Sequence, residues 1–230
     1  MADILKQIVQ EGYSAGNYAA AFRKSPEPTP FEHDKLCAFS DLVRSNFHQR
    51  HPSDNQERPR VLDLGCGPGI PYDLFLYQHQ HFRLTLVDSS ECHLKLNRDN
   101  FPADSESLVE RKKGDITDPS LFVEGEKFDG AIMLYVLFHL PREEHASFLR
   151  YIFTERLAPG APLLLTISCS EEECNVENDW FGVRMAWSSF SSDVTLQLLR
   201  DAGFHIVNTW NEGIPGEEEF HLWALVQKPL

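Results

Sequence analysis

The residues with the most chemical potential lie in and after the stretch Val61-Leu62-Asp63-Leu64-Gly65-Cys66-Gly67-Pro68-Gly69. An apolar run with one acid reads as a short buried strand. Three glycines at alternate positions follow, then an amphipathic segment. Glycine tolerates positive φ and carries no Cβ, so a ligand can approach the backbone closely. The helix that follows offers free N–H groups and a positive dipole end. The spacing is G-x-G-x-G, one residue tighter than the dinucleotide fingerprint G-x-G-x-x-G. Asp88 ends a second apolar run, 25 residues after Asp63. An ionised carboxylate is acceptor-only and suits a ribose diol. Without the glycines upstream, the same Asp would pass as a solvent-facing turn residue. His139 follows a third apolar run, Ala131 to Phe138. A neutral imidazole there is a candidate base. The alternative is a structural His whose ring bonds a backbone carbonyl.

The segment D-L-G-C-G-P-G resembles the first motif of class I S-adenosylmethionine-dependent methyltransferases. An acid precedes the glycines and a strand precedes the acid, which makes the resemblance fairly specific. The other reading is a left-handed glycine turn with no ligand. The resemblance implies S-adenosylmethionine as cofactor. It places Asp63, Gly65, Cys66, Gly67, Asp88 and Ser89 around the amino-acid end and ribose. Lys113-Gly114-Asp115-Ile116 matches the segment in which an acid faces the adenine amino group and the next residue packs on the ring, giving roles to Asp115 and Ile116. Phe128 to Pro141 resembles the fourth-strand motif, with Met133, Leu134 and Tyr135 over the methionine end and His139 near the transferred methyl. In this family the segment before the first strand often covers the cofactor. Tyr13 is therefore expected at the acceptor, and Tyr18 at the cofactor and as a second catalytic candidate beside His139. Half-buried packing is the plain alternative for both tyrosines. No D-P-P-Y-like motif or magnesium-holding acidic run is present.

These residues need a frame. From Val61 onward strands and helices alternate, which predicts an α/β fold with a mostly parallel sheet and helices on both faces. Seven strands are expected: Arg60–Leu64, Phe82–Val87, Leu108–Lys112, Phe128–Met133, Pro162–Ser168, Phe204–Thr209 and His221–Gln227. The resemblance makes the sheet doubly wound and the last strand antiparallel. Helices are expected up to His79, over Glu91–Asn100, from Pro141 to Leu157, and over Ser191–Ala202. Residues 1–59 form an N-terminal helical lid and 60–230 the Rossmann-like domain. In the lid, Ala2 to Arg23 reads as a helix that Gly12 interrupts, and Phe31 to Arg50 as a second helix after Pro26, Pro28 and Pro30. Between the fifth strand and the next helix, Asn178 to Phe190 reads as an aromatic-rich loop. Loops on that side of an open α/β sheet carry ligands. Trp180, Arg184, Met185 and Trp187 are therefore expected to line an acceptor pocket, or to pack as a lid on the N-terminal helices.

Bulk properties exclude other classes. The 230 residues carry a net charge of −14. Phosphate backbones need clustered Lys and Arg, so a nucleic-acid partner is not expected. Five cysteines without a C-x-x-C pair fit a reducing compartment, and no His or Cys spacing suggests a metal. Met1 to Gln10 lacks a signal-type apolar core, and no run spans a bilayer. A cytoplasmic monomer or homodimer without membrane contact is expected. Glu171–Glu173 and Glu217–Glu219 read as solvated loops, or as an acidic mouth for a cationic acceptor. The function expected is methyl transfer to an O, N or S atom of a small molecule. Protein or peptide methylation, or cofactor binding without turnover, are the alternatives.

Overall fold

The computed structural model describes residues 2–15, 18, 25–52, 57–213 and 221–230. Helix α1, Ala2–Ser14, comes first. Helix α2, Pro30–Arg50, starts at a capping box. Thr29 Oγ1 accepts from the Glu32 N–H at 3.3 Å, and Glu32 Oε2 accepts from the Thr29 N–H at 2.7 Å. Pro30 occupies the first turn, where its missing N–H costs nothing.

The alternating region is β1 Arg60–Leu64, α3 Tyr72–Gln78, β2 Arg83–Asp88, α4 Glu91–Asn100, β3 Val109–Lys113, β4 Gly130–Met133, α5 Arg142–Tyr151 and β5 Pro162–Ser168. After it come β6 Glu172–Trp180, β7 Val183–Ser189, α6 Ser192–Ala202, β8 His205–Glu212 and β9 His221–Gln227. Seven strands form one sheet in the order β3-β2-β1-β4-β5-β9-β8. β1 pairs in parallel with β2 and with β4. β9 runs antiparallel to both β5 and β8. This is the expected doubly wound sheet. Strand order reverses between β1 and β4, and the crevice beyond the strand ends at such a switch point takes ligands.

Period-two alternation in β1 divides the core. Leu62 and Leu64 face a cluster with Phe148, Leu149 and Leu199 of α5 and α6. Val61 faces the other cluster, with Leu36, Phe39 and Val43 of α2 and Leu74, Phe75 and Leu94 of α3 and α4. By the same alternation Asp63 points to the α3 side. Residues 1–59 thus divide their work. α2 is part of a core layer, whereas Leu5 and Ile8 of α1 pack with Ala186 of β7.

Three expectations are corrected. The aromatic segment is no loop: β6 and β7 form an antiparallel hairpin separate from the main sheet. Its turn uses positive φ at Phe181 (50°) and Gly182 (81°). Phe at such a position hides the usual Asn-Gly or Asp-Gly signal. Gly12 does not interrupt α1, which runs through it. Finally, α5 passes into a π-helical turn, Ile152–Arg156, before the chain leaves at Leu157. The second half of the expected N-terminal helix, with Phe22, and the Glu217–Glu219 run lie outside the described residues. Among the described residues no helix is long and apolar enough to cross a membrane, and no three His, Cys, Asp or Glu cluster for a metal.

Candidate active site

A cavity of about 330 Å³ opens at the switch point. Its floor is the glycine turn. The N–H groups of Gly65 and Cys66 both donate to Val87 O, at 2.8 and 3.0 Å, tying the turn to β2. Gly65 (φ 88°) has no room for a Cβ, which would meet Val136. Gly67 (φ 54°) differs, because nothing lies within 4 Å of where its Cβ would be. That space belongs to the cavity, and a side chain would enter it. Burial pushes the Cys66 thiol well above its ordinary range, so the wall here is uncharged.

Asp88 closes the turn from β2. Its Oδ2 accepts from the Gly67 N–H and its Oδ1 from the Ser90 N–H, each at 2.8 Å. Ser90 caps α4 by accepting from the His93 N–H at 3.2 Å, and its hydroxyl donates to Tyr13 O at 3.3 Å. Asp115 accepts from the N–H and hydroxyl of Thr117 through one oxygen. Its other oxygen lies 3.7 Å from Lys6 Nζ of α1, which also reaches Glu144 at 2.7 Å. Burial alone would lower the Lys6 pKa, but the two carboxylates outweigh it and raise it. On the β4 side, Tyr135 adopts positive φ (61°), a rare backbone state for a bulky residue. Its N–H donates to the Thr166 hydroxyl and its phenol to the Glu212 carboxylate at 2.7 Å.

His139 is buried at the cavity wall with both ring nitrogens engaged. Nδ1 lies 3.1 Å from Ala186 O, a pure acceptor, so Nδ1 carries the hydrogen. Nε2 then holds the lone pair and accepts from the Tyr13 hydroxyl at 2.7 Å. Burial lowers the His139 pKa to about 4, against a raising effect from the Ala186 carbonyl. The ring is neutral at physiological pH.

All the expected cofactor residues come together on this one cavity: Tyr18, Asp63, Gly65, Cys66, Gly67, Asp88, Ser89, Asp115, Ile116, Leu134 and Tyr135. Tyr13 and His139 line it too. The hairpin residues do not. Trp180 stacks on Tyr18 at 5.4 Å and meets Tyr13 edge-on at 5.9 Å. Trp187 lies 5.8 Å from Trp180 and 6.3 Å from His139. Trp180 backs the two tyrosines and Trp187 backs His139, and neither lines the cavity. Met185 is fully buried under α1, and Arg184 is exposed. These four do not line the cavity: Trp180, Met185 and Trp187 pack behind it, the alternative expected for them, and the Arg184 side chain is exposed. Sequence reasoning missed Lys6, Gln10 and His93, which also line the cavity. The His93 ring is 2% exposed and its Nε2 has no partner among the described residues. Its place in the first turn after Asp88 was the available signal.

The comparisons with known proteins agree with this geometry. A family model described as a methyltransferase domain matches residues 32–209. The chain belongs to the S-adenosylmethionine-dependent methyltransferase family. The methyltransferase is similar in fold to an S-adenosylmethionine-dependent methyltransferase of Methanosarcina mazei, at TM-score 0.64 and 20% identity over 89% of this chain and 99% of that one. The DhpI–SAH complex matches at TM-score 0.64 and 18% identity, covering 98% and 97%. Magnesium protoporphyrin IX methyltransferase from Synechocystis PCC 6803, with bound SAM, matches at 0.62 and 17%, covering 97% of both chains. Among curated proteins, ribosomal RNA small subunit methyltransferase C of Marinomonas sp. is 32% identical over 80 residues, 35% of this chain. The methyltransferase spans only 22% of that relative's length.

Proposed function

We propose that this protein transfers a methyl group from S-adenosylmethionine to a small-molecule acceptor held beneath α1. The observation that carries the reading is a single cavity joining the glycine turn and its acids to Tyr13 and His139. The residues present fit the cofactor. Gly67 leaves open space where a side chain would stand, and Asp63 and Asp88 put carboxylates on the wall where an ammonium group and a ribose diol would be recognised. The bound cofactor supplies an activated methyl on a sulfonium, so the protein's tasks are alignment and exclusion of water.

α1 performs the exclusion. Lys6, Val9, Gln10 and Tyr13 cover the cavity, and a site roofed by a helix in this way suits a small acceptor rather than a polypeptide. The net charge of −14 also speaks against polyanionic acceptors such as RNA. Tyr13 and His139 form a hydrogen-bonded dyad facing this space. An acceptor O–H or N–H is oriented by the Tyr13 oxygen while the Tyr13 proton points at His139 Nε2. A fully buried imidazole with a pKa near 4 is costly to protonate, so the dyad orients the nucleophile more than it deprotonates it. Tyr18, stacked on Trp180, holds the far edge.

Calorimetric titration with S-adenosylmethionine, followed by a labelled-methyl screen over phenols, acids, thiols and amines, tests the reading. Saturable binding with label in a small product is expected. No binding at millimolar cofactor would overturn it. Binding with label only in protein or peptide would replace the acceptor class, and binding without turnover on any acceptor would leave a non-catalytic cofactor binder. Tyr13→Phe is expected to lower kcat by about tenfold to a hundredfold, in the range of a lost orienting hydrogen bond, while the cofactor Kd stays at the wild-type value. An unchanged kcat would remove the dyad from the mechanism.

A further inference from the structure

Asp73 sits in the first turn of α3 with 1% of its surface exposed. Neither of its carboxyl oxygens receives a hydrogen from any donor among the described residues. A fully desolvated carboxylate with no donor is among the most costly arrangements a fold can hold. The neighbour within hydrogen-bonding reach is itself a carboxyl, Asp63. The chain geometry explains why they meet. Alternation along β1 turns Asp63 to the face that α3 covers, and Asp73 lies in the first turn of α3. Two adjacent carboxyl groups in one dry site bond to each other only when one of them carries a proton.

We propose that Asp73 is a neutral carboxylic acid that donates its hydrogen to Asp63, so that the pair presents one negative charge to the cavity. Asp73 is a positioning residue, because Asp63 lines the cavity and Asp73 does not. The inference deepens the S-adenosylmethionine reading and rests on it for the ligand. One anionic charge answers the single α-ammonium group of the cofactor's amino-acid end. The bond from Asp73 fixes which Asp63 oxygen is left for that group.

The surroundings favour the protonated form. Burial and the charge of Asp63 push the Asp73 pKa well up, and Asp88 on β2 adds to the push. Arg111 on β3 opposes it. Two of its nitrogens are engaged by other groups: Nε donates to Asn97 at 2.7 Å and Nη1 to Glu106 at 2.9 Å, while the buried Nη2 has no partner among the described residues. Cys66 in the glycine turn is an uncharged thiol, as described above.

Infrared difference spectroscopy between wild type and Asp73→Asn at pH 7.5, without cofactor, tests the protonation directly. A carbonyl band of a protonated carboxyl group, present in wild type and lost in the variant, is expected; no such band in wild type overturns the proposal. Calorimetry with S-adenosylmethionine tests the role. Asn keeps a neutral donor, so Asp73→Asn should bind within about threefold of wild type. Asp73→Leu removes the donor to Asp63, and should weaken binding by about tenfold or more, the scale of a lost buried hydrogen bond. An Asn variant as weak as Leu would mean that Asp73 acts through its charge or its exact chemistry, and would overturn the pair. Failure of wild type to bind the cofactor at all would sink the cofactor reading and leave the infrared result to decide the shared proton separately.

Discussion

At the scale of single residues, Asp88 does two jobs that compete for its oxygens. The sequence suggests a ribose ligand, and the structure adds that the same carboxylate holds the Gly67 and Ser90 N–H groups at 2.8 Å. Each carboxylate oxygen has two lone pairs, so both jobs are compatible. Replacement by Asn leaves one acceptor oxygen and turns an NH₂ group toward the other backbone donor. Losing one charge-assisted bond costs about 1.5–3 kcal/mol. Asp88→Asn should therefore weaken S-adenosylmethionine binding by roughly tenfold to a hundredfold, read by calorimetry. Unchanged affinity would show that the turn is held without it. The acids and glycines of the site were legible from sequence because each is demanded by local geometry at a strand end. Lys6 and His93 were not, because nothing in their own segments shows which side of a helix meets the cavity. Asp73 was invisible for a related reason: its importance exists only once α3 lies on the same face as Asp63.

At the scale of elements, the informative contact is between α1 and the β6–β7 hairpin. Their meeting is the tertiary event that turns an open crevice into a closed cavity. A Cβ on Gly12 would lie 2.7 Å from the Arg184 carbonyl and 2.8 Å from Met185 Cε. The thioether end can move, but the strand carbonyl cannot. Ala in place of Gly inside a helix is otherwise worth about 1 kcal/mol in its favour. The two effects oppose, and the backbone clash should win, because shifting α1 also disturbs Leu5, Ile8 and the Lys6 pairs. Gly12→Ala is expected to speed cofactor dissociation several-fold in stopped-flow without raising Tm. A higher Tm with wild-type dissociation would mean that α1 does not close on the hairpin. The main sheet was readable because its strands are continuous apolar runs bounded by Gly, Pro and Asp. The hairpin was not. β6 is mostly exposed and polar, so its strand state comes from pairing with β7 and not from a hydrophobic pattern.

At the scale of the whole molecule, the buried titratable groups set a stability curve with two opposing limbs. His139 and His145 are buried neutral, and desolvation is the main cause in both. Their folded pKa values lie below the ordinary 6.5, with His139 near 4. Between those values the unfolded chain binds more protons than the native one, so stability falls as pH drops below about 6.5. Asp73 has the opposite sign. Its folded pKa is raised above 3.8, so the native state holds a proton that the unfolded chain has already lost. That contribution is full at low pH and declines as pH rises toward the folded value. Below about 6.5 the two histidines act against the one aspartic acid, so stability falls on the acid side. Above about 6.5 the histidine contribution is flat, and any further change from Asp73 is a decline that ends at its folded value. Maximum stability is therefore expected slightly on the acid side of neutral, although the chain carries a net charge of −14. Urea midpoints at pH 5, 6.5 and 8 check this. The midpoint should be lower at pH 5 than at 6.5. In Asp73→Asn, which lacks the opposing group, the acid limb should be steeper than in wild type. An acid limb no steeper in Asp73→Asn would contradict the sign assigned to Asp73. A flat acid limb would contradict the neutral, buried state of His139 and His145.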